Sequence, residues 1–97
     1  MEMWIRNQDQ ELMLDVPKGM SIAAAARLDG IELFGPCKGE GICNICARRV
    51  RDGIKDLQRI NGKPYIHQEG YAPYVQTCQV TPTTSAVSID ADDHAFF

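Results

Sequence analysis

No apolar run in this chain approaches the roughly 18–20 residues that cross a bilayer as a helix, so no membrane span is expected. There is no excess of basic residues either. Thirteen Asp and Glu against ten Lys and Arg leave a net charge of −3. Nucleic acid is therefore not an expected partner, since proteins that bind it usually present a basic face. The start, Met1-Glu2-Met3-Trp4-Ile5-Arg6, lacks a charged segment followed by a long apolar one and does not read as a secretory signal. Internal repeats, low-complexity blocks and linker-like stretches are also missing, so residues 1–97 read as one domain. No catalytic dyad stands out, and the chain is not expected to be an enzyme. A protein this short buries roughly 60–70% of its unfolded surface. Its core is modest, and a bound group that cross-links the chain would help it.

What is present is a clear alternation of patterns. Met3 and Ile5, then Leu12, Leu14 and Val16, alternate with polar neighbours. That period of two predicts a half-buried hairpin over residues 2–16, with Asn7-Gln8-Asp9-Gln10 as its turn. Pro17-Lys18-Gly19 ends the second strand. Ser21 is placed to cap a short helix over 22–29 built on Ala23-Ala24-Ala25-Ala26 and Leu28. Gly30 suits the left-handed position just past a helix end. Further along, 46–51 predicts a strand closed by Asp52-Gly53, and 54–73 reads as loop with one helical turn. A strand over 74–80 stops at Pro82, and Ala86-Val87-Ser88-Ile89 starts the last one. The tail from Asp90 shows no pattern. One helix among several strands gives an α+β arrangement.

The chemistry sits in four cysteines. Cys37-Lys38-Gly39-Glu40-Gly41-Ile42-Cys43-Asn44-Ile45-Cys46 is followed 31 residues later by Cys78, a spacing of C-x5-C-x2-C-x31-C. Three thiolates in one loop and a fourth from a distant strand is an arrangement that a [2Fe–2S] cluster can use. The plant-type spacing has a first gap one residue shorter. Gly39 and Gly41 carry no Cβ to keep the backbone away from bridging sulfides, and they tolerate positive φ. Backbone N–H groups aimed at sulfur would stabilise the negative cluster and tune its potential. Thr77, beside Cys78, is a further candidate donor. A structural zinc site is the main rival, yet zinc usually takes two short knuckles and this chain has one C-x2-C. A Rieske centre needs two histidines near the cysteines, and His67 and His94 are far from them in sequence. Disulfides would need an oxidising compartment, for which nothing argues, and a cytoplasmic protein is expected.

At these residues the chain resembles the [2Fe–2S] ferredoxins, the plant-type and adrenodoxin-like group. The cysteine loop with Val50 and Gly53 resembles their cluster loop. Pro17-x-Gly19-x-Ser21 with the helix ending at Gly30-Ile31 resembles the segment before it. Gln76-Thr77-Cys78-Gln79-Val80 resembles the strand with their last ligand. The five-residue first gap resembles that of adrenodoxin-like members and of the ferredoxin-like domains of some bacterial metalloproteins, although Ala47 stands where adrenodoxin-like members usually carry His and their gap to the fourth cysteine is usually longer than the 31 residues here. The resemblance implies a β-grasp fold, a mixed sheet curled over one main helix. It implies one [2Fe–2S] cluster held by Cys37, Cys43, Cys46 and Cys78, the first two on one iron and the last two on the other. It also implies a monomeric one-electron carrier that shuttles between a reductase and an acceptor enzyme. A cluster-bearing subunit of a larger complex is the alternative.

Two charged stretches bear on partners. Arg48, Arg49 and Arg51, with Lys55 and Arg59 beyond, could steer an acidic partner, but alternation places Arg49 and Arg51 on one strand face and Arg48 on the other. A solvated face is the simpler reading. Asp90, Asp92 and Asp93 before His94-Ala95-Phe96-Phe97 could dock a reductase, or form a frayed end. Met3 and Trp4 are read as core or edge packing.

Overall fold

The computed structural model describes residues 1–33, 47–63 and 74–94. The amino-terminal hairpin forms as its alternation requires. Strands β1 (Glu2–Asn7) and β2 (Gln10–Asp15) pair antiparallel from Glu2 opposite Asp15 to Asn7 opposite Gln10. Gln8 and Asp9 take φ of 52° and 64° between them. Two successive positive φ values give the turn a twist that matches the strands it joins. Met3, Ile5, Leu14 and Val16 point into the core, while Leu12 is left exposed on the edge strand and Trp4 stands 41% exposed on the outer face. Met3 is thus core, and Trp4 is not.

Helix α1 (Ile22–Leu28) has only 7 residues, too few to be stable alone even with an Ala-rich sequence. Its ends and its packing hold it. The Ser21 hydroxyl accepts the Ala24 N–H at 3.1 Å. At the other end Gly30, with φ of 81°, donates to the Arg27 carbonyl at 3.1 Å, and Ile31 donates to Ala26 at 2.9 Å. That pair of bonds is a Schellman closure, and Ile31 is buried beside it. Ile22, Ala23, Ala25 and Ala26 face the core. The small alanines let the helix approach the sheet closely.

The main sheet has five strands in the order β2-β1-β7-β3-β5. Strand β3 is Ala47–Asp52, β5 is Tyr74–Gln76 and β7 is Ser88–His94. The pairing of β1 with β7 is parallel, and the other pairings are antiparallel. Between β3 and β5 a 3-10 turn, Ile54–Asp56, leads into β4 (Leu57–Arg59), which pairs with β6 (Val80–Pro82) as a separate two-stranded sheet. One helix covering a mixed sheet is the expected α+β, β-grasp architecture. Buried Ile5, Leu14, Ile22, Val75, Val87 and Ile89 form its centre, each worth roughly 1.5–3 kcal/mol of burial.

Three expectations are corrected. The segment after Asp56 holds a strand, β4, because Leu57 has a buried apolar slot and Gln58 and Arg59 find backbone partners across on Thr81 and Val80. The single strand over 74–80 is two strands in two sheets, divided by a tight turn at residues 77–79. The patternless tail begins inside β7, where Ile89 and Ala91 are buried while Asp90 and Asp92 are not. The cysteine loop from Cys37 to Cys46, residues 64–73 with His67, and Ala95-Phe96-Phe97 lie outside the described residues.

The turn after β3 depends on a missing side chain. Gly53 has φ of 80°, and a Cβ there would meet Val87 Cα at 2.8 Å and the Ala86 carbonyl oxygen at 2.9 Å. Gly62 has φ of 87° with nothing within 4 Å of its would-be Cβ. Gly53→Ala is therefore expected to lower the unfolding free energy by about 3 kcal/mol, from left-handed strain plus backbone overlap. Gly62→Ala is expected to cost only about 1 kcal/mol. Urea midpoints measure both, and equal losses would contradict the steric account. Ser21→Ala should cost about 1 kcal/mol by the same measurement, as loss of an N-cap does.

Candidate metal centre around Cys78

Cys78 lies in a four-residue turn, Gln76-Thr77-Cys78-Gln79, that reverses the chain between β5 and β6. The Gln79 N–H closes it on the Gln76 carbonyl at 3.0 Å. Two further backbone bonds clamp it from either side. The Ala23 N–H, in the first turn of α1, donates to the Thr77 carbonyl at 2.9 Å, and Ile60, just past β4, donates to the Gln79 carbonyl at 3.1 Å. The first bond also satisfies one of the amides that a helix start leaves without an internal partner. The turn is thus held by the helix, by the second sheet and by itself.

The thiol at its tip is 2% exposed and is not in a disulfide. Gln79 Nε2 donates to Cys78 Sγ at 3.4 Å, the kind of outer contact that orients a sulfur ligand and favours its negative form. Thr77 is fully buried, and its carbonyl helps to fix the turn. Sequence reasoning chose Thr77 and Cys78 but missed Ala23, Ile60 and Gln79. The Gln79 amide was legible in principle as a polar neighbour of a candidate ligand. The backbone donors carry no sequence signal.

The remaining predicted ligands, Cys37, Cys43 and Cys46, lie outside the described residues. Among the described residues no group of three His, Cys, Asp or Glu could hold a metal. The boundaries of the cysteine segment are nonetheless informative. Ala47, directly after Cys46, opens β3 and pairs across with Gln76, two residues before Cys78. Covalent continuity therefore ties the end of the cysteine segment to the strand that delivers the Cys78 turn. A buried thiol outside any disulfide, on a turn held by backbone hydrogen bonds, is a soft donor of the kind that iron and sulfide take.

The arginines after the loop divide as alternation requires. Arg49 and Arg51 are exposed, and Arg48 is buried at 4%. Arg51 pairs with Glu11 on the outer face of the sheet, and that hydrogen bond raises its pKa further above the usual arginine value. Arg48 was legible as inward-facing, because it shares its strand face with Val50, but not as a deeply buried cation. In the acidic stretch, Asp92 accepts the Gln8 N–H of the first hairpin turn, so that part of the tail is tied into the fold.

Three comparisons bear on the site. A search of curated proteins gives no match. Among solved structures, the chain is similar to a cysteine-to-glycine mutant of putidaredoxin, an Fe2S2 ferredoxin. The TM-score is 0.69 with 23% identity, and the match covers 99% of this chain and 100% of that one. At that identity the likeness establishes the fold. The profile of the family described as the 2Fe-2S iron-sulfur cluster binding domain matches residues 5–83, a span that contains all four cysteines. This chain belongs to the 2Fe-2S iron-sulfur cluster binding domain family, the ferredoxin family of electron carriers, and its cofactor is one [2Fe–2S] cluster.

Proposed function

We propose that this protein is a freestanding one-electron carrier whose cluster is held by Cys37, Cys43, Cys46 and Cys78. It would take electrons from a reductase and pass them to an oxidising enzyme. The observation that carries the reading is the Cys78 turn, a buried thiol fixed by three backbone hydrogen bonds beside the strand that follows Cys46. When bound, the cluster supplies a one-electron couple that takes the total charge, four thiolates included, from 2− to 3−. The chain's residues do the rest. The thiolates hold the irons, the Cys78 turn keeps one of them from moving when the charge changes, and Gln79 donates to the sulfur. Small movement matters because an electron carrier works best when both oxidation states share one geometry.

Several features support a carrier rather than a module with another task. No described helix is long and apolar enough to cross a membrane. Of the exposed apolar side chains, Trp4 and Met13 lie opposite each other on β1 and β2, while Leu28 and Ile60 stand on other segments. We read residues 1–97 as one domain working in the cytoplasm, where thiols stay reduced and available to iron. The redox partners dock by chemistry that the described residues do not single out. A structural zinc site usually takes two short cysteine knuckles, and the sequence contains one.

The direct test is Cys78→Ala. The variant is expected to lose the red-brown colour and most of its bound iron and labile sulfide, because one iron would lose its thiolate. Visible absorption with iron and sulfide analysis reads the result. An unchanged spectrum would remove Cys78 from the ligand set.

A further inference from the structure

The register of β3 against β7 breaks at two places, between Arg48 and Arg49 and between Val50 and Asp52, and the first break is the larger. Arg48 pairs with His94, yet the next residue, Arg49, pairs with Asp90. Residues 91–93 of β7 are therefore looped out of the ladder opposite a single step of β3, a bulge that frees backbone groups. Arg48 fills the gap. Its Nε–H donates to the Ala91 carbonyl at 2.7 Å, and its Nη1 donates to its neighbour Ala47 at 3.1 Å. The side chain is 4% exposed, and Val75 stands opposite it on β5. Arginine is ionised at any ordinary pH, so the fold holds a permanent positive charge inside, behind the strand that leaves the cysteine loop.

We propose that Arg48 is a positioning and tuning residue for the cluster, its buried guanidinium favouring the reduced state and raising the reduction potential. This rests on the reading of Cys46 as a ligand. The bond to the Ala47 carbonyl keeps the guanidinium within roughly 10 Å of residue 46 by covalent geometry alone. A unit charge at that distance, in a protein of effective dielectric about 20, changes an equilibrium constant about tenfold. Reduction adds one negative charge, so the effect falls on the reduced form. Burial keeps salt from screening it. The same side chain closes the bulge, which makes its geometry rigid as well as its charge.

Two substitutions separate charge from plugging. Arg48→Gln keeps an amide donor for the carbonyls but is neutral, and Arg48→Lys keeps the charge. The holo proteins are titrated with dithionite and mediator dyes, followed by visible absorption, at low and at high salt. Arg48→Gln is expected to shift the one-electron equilibrium about tenfold toward the oxidised state, a fall of about 59 mV, and the fall should persist at high salt. Arg48→Lys should shift it less than half as far. If Arg48→Gln does not fold, Arg48→Met is read in its place. A neutral variant that melts at a lower temperature but titrates at the parent potential would overturn the proposal and leave Arg48 a structural plug. A parent protein with no iron would instead overturn the ligand reading, and the role of Arg48 with it.

Discussion

The Thr77 carbonyl, bonded to the Ala23 amide at the start of the helix, is the contact on which the rest of the arrangement turns. It joins the only described helix to the turn that presents Cys78. Through it the helix and its cap act on the Cys78 turn, which the second sheet holds from the other side through Ile60 and Gln79. Ser21 takes one orphan amide of the helix start, and Thr77 takes another. The helix is too short to stand without them. The same few residues therefore stabilise a marginal helix and hold the turn that presents Cys78, the proposed ligand. A small protein with a modest core gains from that economy, and a cluster held by the proposed ligands would add to it by linking distant parts of the chain.

Much of the fold was legible because local and global signals agree. The Ser21 cap, the alanine run and Gly30 each marked the helix, and the structure ends it with the closure that glycine permits. The first hairpin followed from its alternation. What stayed hidden was set by distant partners. Strand β4 is three residues long, and it exists because Val80 to Pro82 run beside it. The division of 74–80 into two strands depends on clamps from Ala23 and Ile60, which no pattern within that stretch encodes. Residues of β7 that carry three aspartates read as a solvated tail, yet Ile89 and Ala91 anchor the strand between β1 and β3.

The site shows the same division. Four cysteines and two glycines in the loop announced the cofactor, since thiolate spacing is direct coordination chemistry. The electrostatic surroundings were less visible. Alternation divided the three arginines between two strand faces and favoured a solvated face over a patch; Arg51 pairs with Glu11 and Arg49 faces out beside Asp90 and Tyr74, but that Arg48 lies deep inside was not legible. A strand sorts its charges by pleat, and a bulge can turn an inward arginine from a cost into a fit. Where charge sits relative to the ligands, rather than how much there is, decides what it does to an electron.

The proposed ligand set is four thiolates of one chain, which would hold one [2Fe–2S] cluster. Electron paramagnetic resonance of the dithionite-reduced protein, quantified against its iron content, tests this most directly. One unpaired spin for every two irons, with one such pair per chain, is the predicted result. A reduced protein with no such signal, carrying a single zinc per chain, would contradict it.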